Sequence, residues 1–270
     1  MTDSELSIGS IRQLGVPTRP EMEQPSEARS RRLRWAIGLL GAVTLMGVAV
    51  GLNPASPFTQ PLDSWWRQIN GAAPGSGRYT WALPMFFQYL GEAPGWLFMI
   101  VLAPLALVAV GRWRSGLFYL SATVASTIVS QVLKNVIDRP RPAADEALGL
   151  FGPLFRVDHG SFPSGHAVTS ATLAVAVAAL IPPVRRRARR TWALVGALVM
   201  VGMVWQRTLI NAHWLSDAVF GLVAGAGAAC LMWWAFWNLL GKDYGRPVWF
   251  RHRAAAKNTH QPLSVNVQKG

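Results

Sequence analysis

The chain has 270 residues, 51% of them hydrophobic and only 14% charged, with a net charge of +13. A soluble domain normally holds about 25% charged residues, so a freely soluble domain is disfavoured. The Lys and Arg residues gather in short loops between apolar runs, which is a membrane pattern and not the basic face of a nucleic-acid-binding protein.

Residues 1–34 read as a polar, disordered cytoplasmic tail with Pro17, Pro20 and Pro25 and no hydrophobic periodicity, closing in Arg29, Arg31, Arg32 and Arg34. Trp35–Leu52 is an uncharged apolar run long enough to cross a bilayer. Its length and polar lead-in favour an uncleaved first helix over a signal peptide. Asn53–Gly91 reads as a loop containing Trp65-Trp66, with a short amphipathic, interfacial stretch around Trp81–Leu90. Ala93–Val110 is the second candidate span, bounded by Arg112 and Arg114. Leu117–Ile137 is the third, and its last turns carry Gln131, Lys134 and Asn135, which are costly in hydrocarbon and so point to function or to the water interface. Pro140 and Pro142 stop that helix.

Ser164–Ile181 is the fourth span, and the basic run from Arg185 to Arg190 follows at once. The fifth begins at Trp192 and runs to about Asn211. The sixth, Trp214–Leu240, holds Gly221 and Gly225, a small-residue spacing that permits close helix packing. It also holds the single cysteine, Cys230, which excludes an internal disulfide and reads as a small buried hydrophobe. Residues 241–270 form a basic tail. The expected fold is all-α: an integral membrane bundle of six transmembrane helices over residues 35–240, with a short extracytoplasmic interfacial segment.

The arginine clusters set the topology. They all fall on one side, which the positive-inside rule makes cytoplasmic, together with both termini. Three polar blocks then share the outer level. Lys134 to Pro142 ends the third span, Pro163-Ser164-Gly165-His166 opens the fourth, and Arg207 to Asp217 joins the fifth to the sixth. A Ser–Gly pair opening a helix leaves unpaired N–H groups at the positive end of the dipole, a site suited to an anion. His213 and Asp217 stand four apart, the spacing that puts two side chains on one face of a helical turn, where the carboxylate would fix the imidazole tautomer. Arg139 and Arg156 read as anchors or rim residues, His159 as a loop residue, and Asp138 as the partner of a neighbouring arginine. Three converging cations disfavour a divalent metal, so neither metal nor cofactor is expected.

In order, the blocks read Lys-x6-Arg-Pro, Pro-Ser-Gly-His and Arg-x5-His-x3-Asp. Together they resemble the signature of the type 2 phosphatidic acid phosphatase superfamily, over roughly Trp96–Leu240. One departure is Gln206, where that family usually has Ser. The resemblance implies a phosphoric ester hydrolase in which His213 is the nucleophile that becomes a phosphohistidine, oriented by Asp217. His166 is then the acid–base group, and Lys134, Arg141, Ser164, Gly165 and Arg207 hold the phosphoryl oxygens. The expected substrate is a phosphorylated lipid in the bilayer of a bacterial inner membrane, with a polyprenyl (undecaprenyl) diphosphate ranked first. Phosphatidylglycerol phosphate and phosphatidic acid are also compatible, and no nucleic-acid partner is expected. A phosphotransferase using another acceptor is an alternative, and a non-enzymatic scaffold a weaker one because all the motif residues are present.

Overall fold

A computed structural model describes residues 25–244. Among them the regular structure is helical, apart from one isolated β-bridge between Asp145 and Leu150. Helix α1 (Pro25–Gly51) starts ten residues before the expected span, so residues 25–34, read from sequence as tail, are helical. The rest of that tail, and residues 245–270 of the other, lie outside the described residues.

Two short helices follow in the stretch read as a loop: α2 (Gln60–Asn70) and α3 (Ala82–Leu90). Next come α4 (Ala93–Leu97), a π-helical turn at Phe98–Leu102, and α5 (Ala103–Ala109). Residues 82–90 and 93–109 form a pair of helical segments bent by 49°. The bend falls at Gly91-Glu92, one residue short of Pro94 in the first turn of α4. A proline in the first turn of a helix costs no hydrogen bond but cannot extend the helix before it, so a break belongs there.

The bundle proper is α6 (Trp113–Ile137), α7 (Gly165–Leu180), α8 (Arg186–Leu209) and α9 (Leu215–Ala235), closed by α10 (Trp237–Asp243). Helices α1, α6, α8 and α9 are long and apolar enough to cross a membrane, and the bent pair makes a fifth candidate. Helix α7 has 16 residues and is shorter than the usual span of about 20. It packs against α6, α8 and α9, so it is shielded by protein on several sides. Large apolar side chains such as Leu45, Val48, Ile128, Val132, Leu194 and Val201 point outward from the long helices. Exposed apolar faces of this extent suit lipid as the solvent.

The α7–α9 pair is the tightest joint. A Cβ on Gly221 would sit 2.7 Å from the Ser164 carbonyl oxygen, and one on Gly225 would sit 2.2 Å from that of Val168. The two glycines therefore let the helices approach at backbone contact, as their spacing suggested. At the opposite end of the bundle the arginines stack on tryptophans: Arg29 over Trp234, and Arg32 over Trp233 at 4.0 Å. Asp243 accepts hydrogen bonds from the main chain and hydroxyl of Ser115, tying α10 to the start of α6. Cys230 is buried and free. Replacing Gly225 by Ala drives a methyl group into main chain that cannot yield, so the variant is expected to lose about 1–3 kcal/mol, visible as a lower unfolding temperature in detergent.

Candidate active site

The three polar blocks meet at one end of the bundle. The last turn of α6 supplies Lys134, and Arg141 lies on the strand-free loop that follows. The first turn of α7 supplies Gly165 and His166, and the last turn of α8 supplies Arg207. His213 comes from the tight α8–α9 junction. These six residues line one cavity of about 230 Å³, together with Gln88, Gly91, Glu92, Trp96, Gln131 and Arg156–Asp158.

The α8–α9 junction is held by backbone bonds from every side. Asn211 takes a left-handed conformation (φ 54), which Asn tolerates better than most residues. Its side chain donates to the Ala72 carbonyl, Ala72 N–H donates to the Leu209 carbonyl, and Trp214 Nε1 donates to the Pro140 carbonyl. His213 is thereby fixed in place. Its Nδ1 lies 2.8 Å from the Ser161 carbonyl oxygen, and its Nε2 lies 3.2 Å from a terminal nitrogen of Arg141. A carbonyl only accepts and a guanidinium only donates. Both contacts therefore select the tautomer with the proton on Nδ1 and a lone pair on Nε2, facing the cations. Burial lowers the His213 pKa well below the ordinary histidine value of 6.5, and Arg141, Arg207, Lys134 and His166 push it the same way. The ring is neutral at neutral pH and able to act as a nucleophile.

Asp217 makes no hydrogen bond to His213, contrary to the i,i+4 expectation. Helix α9 starts at Leu215, after His213, so the two residues do not share a helical turn. Asp217 instead caps the helix by accepting from Trp214 N–H at 3.1 Å, and it accepts from the Ser161 hydroxyl. It reaches His213 one step removed, by holding the residue whose carbonyl orients the ring. Its remaining oxygen meets Arg139 NH1 at 2.6 Å.

Arg139 is a second correction. It is no rim residue: its side chain is 0% exposed, as are those of its partners Asp217 and Asp63. One nitrogen bonds Asp217 and the Ser216 hydroxyl, and the other bonds Asp63 at 2.8 Å and Gln60. Asp63 in turn accepts from the Ser216 N–H and hydroxyl. A buried carboxylate without a partner is very costly, so Arg139 holds α2 against the start of α9. Arg156 is exposed at the cavity edge, as the rim reading required. Asp138 ends α6 in a left-handed conformation (φ 40), and its expected arginine ion pair is absent among the described residues. His159 pairs with Asn135 outside the cavity.

Ser164 does not line the cavity. Its hydroxyl is buried without a hydrogen-bond partner, while the neighbouring Gly165 faces the space. His166 is packed under the α3–α4 bend: a Cβ on Gly91 would fall 2.0 Å from its ring. Gln206 lies outside the cavity and donates to Gln88 Oε1 at 3.0 Å, and the same oxygen accepts from Arg207 at 2.8 Å. Gln88, Glu92, Trp96, Asp63 and Asp158 all escaped the sequence reading. They lie outside the three blocks, in stretches read as loop or span, where only the fold shows their proximity. Among the described residues, no three His, Cys, Asp or Glu side chains group as a metal site.

The PAP2 superfamily model matches residues 115–240, the stretch that holds all three blocks. Over these residues the chain is similar to the PAP2 superfamily. It is 26% identical over 200 residues to a lipid A 1-phosphatase of Rhizobium etli, an alignment covering 72% of this chain and 81% of that protein. A lipid A 1-phosphatase of Rhizobium johnstonii is 32% identical over 114 residues, 41% of this chain and 43% of that protein. Among solved structures, a transmembrane PAP2-type phosphatidylglycerolphosphate phosphatase from Bacillus subtilis superimposes with a TM-score of 0.59 at 20% identity. That match covers 77% of this chain and 95% of the other and shows a shared fold.

Two variants probe the site's framework. Arg139→Met leaves two buried carboxylates unpaired and is expected to cost about 3–5 kcal/mol, read as a fall in the unfolding temperature. Gly91→Ala pushes a methyl group into the His166 ring. Its expected effect is a loss of phosphate release of about 10²-fold or more, with a lower unfolding temperature because the packed ring must shift.

Proposed function

We propose that this protein hydrolyses a phosphate ester on a lipid headgroup, with His213 as the attacking group. The observation that carries this reading is the lone pair on His213 Nε2 facing a cavity lined by Lys134, Arg141 and Arg207. Phosphoryl transfer spreads charge over equatorial oxygens, and cations fixed in advance around that position are the main means of stabilising it. Nε2 attacks phosphorus, the bond to the lipid oxygen breaks, and His166 gives that oxygen its proton. Water then attacks the phosphohistidine while His166 takes a proton back, so inorganic phosphate leaves and both histidines return to their starting states. Gly165 N–H, at the start of α7, adds a donor, and Asp217 keeps the Ser161 carbonyl on His213 Nδ1 throughout.

The orientation follows from charge. The arginines at the starts of α1, α6 and α8 lie at the helix ends remote from the cavity, which by the positive-inside rule favours a site on the outer face of a bacterial inner membrane. In this reading the bent pair and the short α7 complete six crossings, with both tails cytoplasmic. Two Rhizobium relatives named as lipid A 1-phosphatases favour a phosphate on lipid A, or on a lipid like it, as the substrate. A polyprenyl diphosphate is the second reading, favoured by Arg156 at the rim, which offers a fourth cation to a second phosphoryl group.

The test is phosphate release by detergent-purified protein from lipid A, undecaprenyl diphosphate, phosphatidylglycerol phosphate and phosphatidic acid. Hydrolysis of at least one is expected, unaffected by EDTA. His213→Ala should reduce it to background, and His166→Ala should reduce it about 10²–10⁴-fold. Phosphate release that survived both substitutions would end this reading. Product transfer to an added alcohol would mark a phosphotransferase instead.

A further inference from the structure

Asp158 stands where an anion would be expected. Its carboxylate accepts from Lys134 Nζ at 3.0 and 3.2 Å and from a terminal nitrogen of Arg141. These are two of the four cations lining the cavity, yet the Asp158 side chain is 56% exposed and belongs to none of the three blocks. It lies on the loop between α6 and α7, two residues before Gly160. Gly160 has φ +61, and a Cβ there would come 2.7 Å from the Lys134 side chain. The loop is thus pressed against the lysine. Burial raises the Asp158 pKa, but Lys134 and Arg141 outweigh it and hold the carboxyl below the usual carboxylate range. At neutral pH it is charged.

A phosphoryl group and this carboxylate therefore compete for the same donors. The carboxylate brings two oxygens and one negative charge. A phosphate monoester brings three terminal oxygens and a charge of about −1.5 to −2. A phosphodiester, the linkage in most bilayer phospholipids, brings two free oxygens and one charge, which is what Asp158 already supplies. Exchange with the carboxylate gains Coulomb energy for the monoester and none for the diester. The loop need not open for this, because Arg141 Nε is bonded to the Asp158 main-chain carbonyl at 3.0 Å, independently of the side chain.

We propose that Asp158 is a built-in competitor at the phosphate site that yields to phosphate monoesters and turns away phosphodiester headgroups. This rests on the reading of the cavity as a phosphoryl site. It adds a reason why an enzyme embedded in phosphodiester lipid does not fill its site with its own solvent.

Asp158→Asn keeps the side chain's shape and removes its charge. Binding of inorganic phosphate and of dimethyl phosphate to the purified full-length protein, followed by ³¹P NMR at about pH 8, reads selectivity without turnover. The wild type is expected to prefer inorganic phosphate by about tenfold or more. In Asp158→Asn, which removes the competitor, both anions should gain about tenfold in apparent affinity, so that dimethyl phosphate becomes able to occupy the site. Phosphatidylglycerol in mixed micelles should then inhibit the variant's phosphate release competitively. Unchanged or weaker binding of both anions would overturn the proposal and make Asp158 a residue that positions Lys134 and Arg141. Should the wild type bind phosphate selectively yet hydrolyse no lipid, the hydrolase reading fails while the selectivity stands.

Discussion

A guanidinium between two carboxylates, all three sealed from solvent, is the interaction on which the site's geometry rests. Arg139 joins Asp63 of α2 to Asp217 of α9, and Ser216 bridges the same pair. Removing Arg139 leaves two carboxylates in a low-dielectric interior without their cation, the costly case. Asp217 also caps α9 and holds Ser161, so the same triad sets the tautomer of a histidine that Arg139 never touches. Two kinds of cation thus sit within one short segment: Arg139 faces inward and is fully neutralised, while Lys134 and Arg141 face the cavity with a carboxylate that can leave.

The long apolar runs and the three polar blocks were plain in the sequence because hydropathy and spacing are local properties. Helices α6, α8 and α9 overlie the expected spans to within a few residues, except at the start of α8 and the end of α9. Six of the eight expected site residues share the cavity for the same reason: each lies at the end of an apolar run, and the runs end at one level. What could not be read was which way a side chain turns. Arg139 and Arg141 are two apart in a proline-punctuated loop, so nothing local says that the first points into protein and the second toward substrate. His213 and Asp217 have helical spacing, but the helix begins between them.

The stretch from Asn53 to Gly91 was the least legible. Its short helices lack the length that marks a span, and their contributions, Asp63, Gln88 and the Gly91 bend, are single polar or small residues in an aromatic context. Their significance comes from partners more than 70 residues away, as with Asp63 and Arg139 or Gln88 and Arg207. Only folding brings such pairs together.

Gln206 has a consequence for which substitutions this chain can accept. Its amide is committed to Gln88, which also holds Arg207, so positions 88 and 206 form one unit although 118 residues separate them. A serine at 206 is too short to reach Gln88 and would leave that glutamine, and the arginine it steadies, with one restraint fewer. Reverting to the more usual residue is therefore not a neutral step for this chain. The two positions are tied in inheritance, and a lineage could exchange one safely only by exchanging the other.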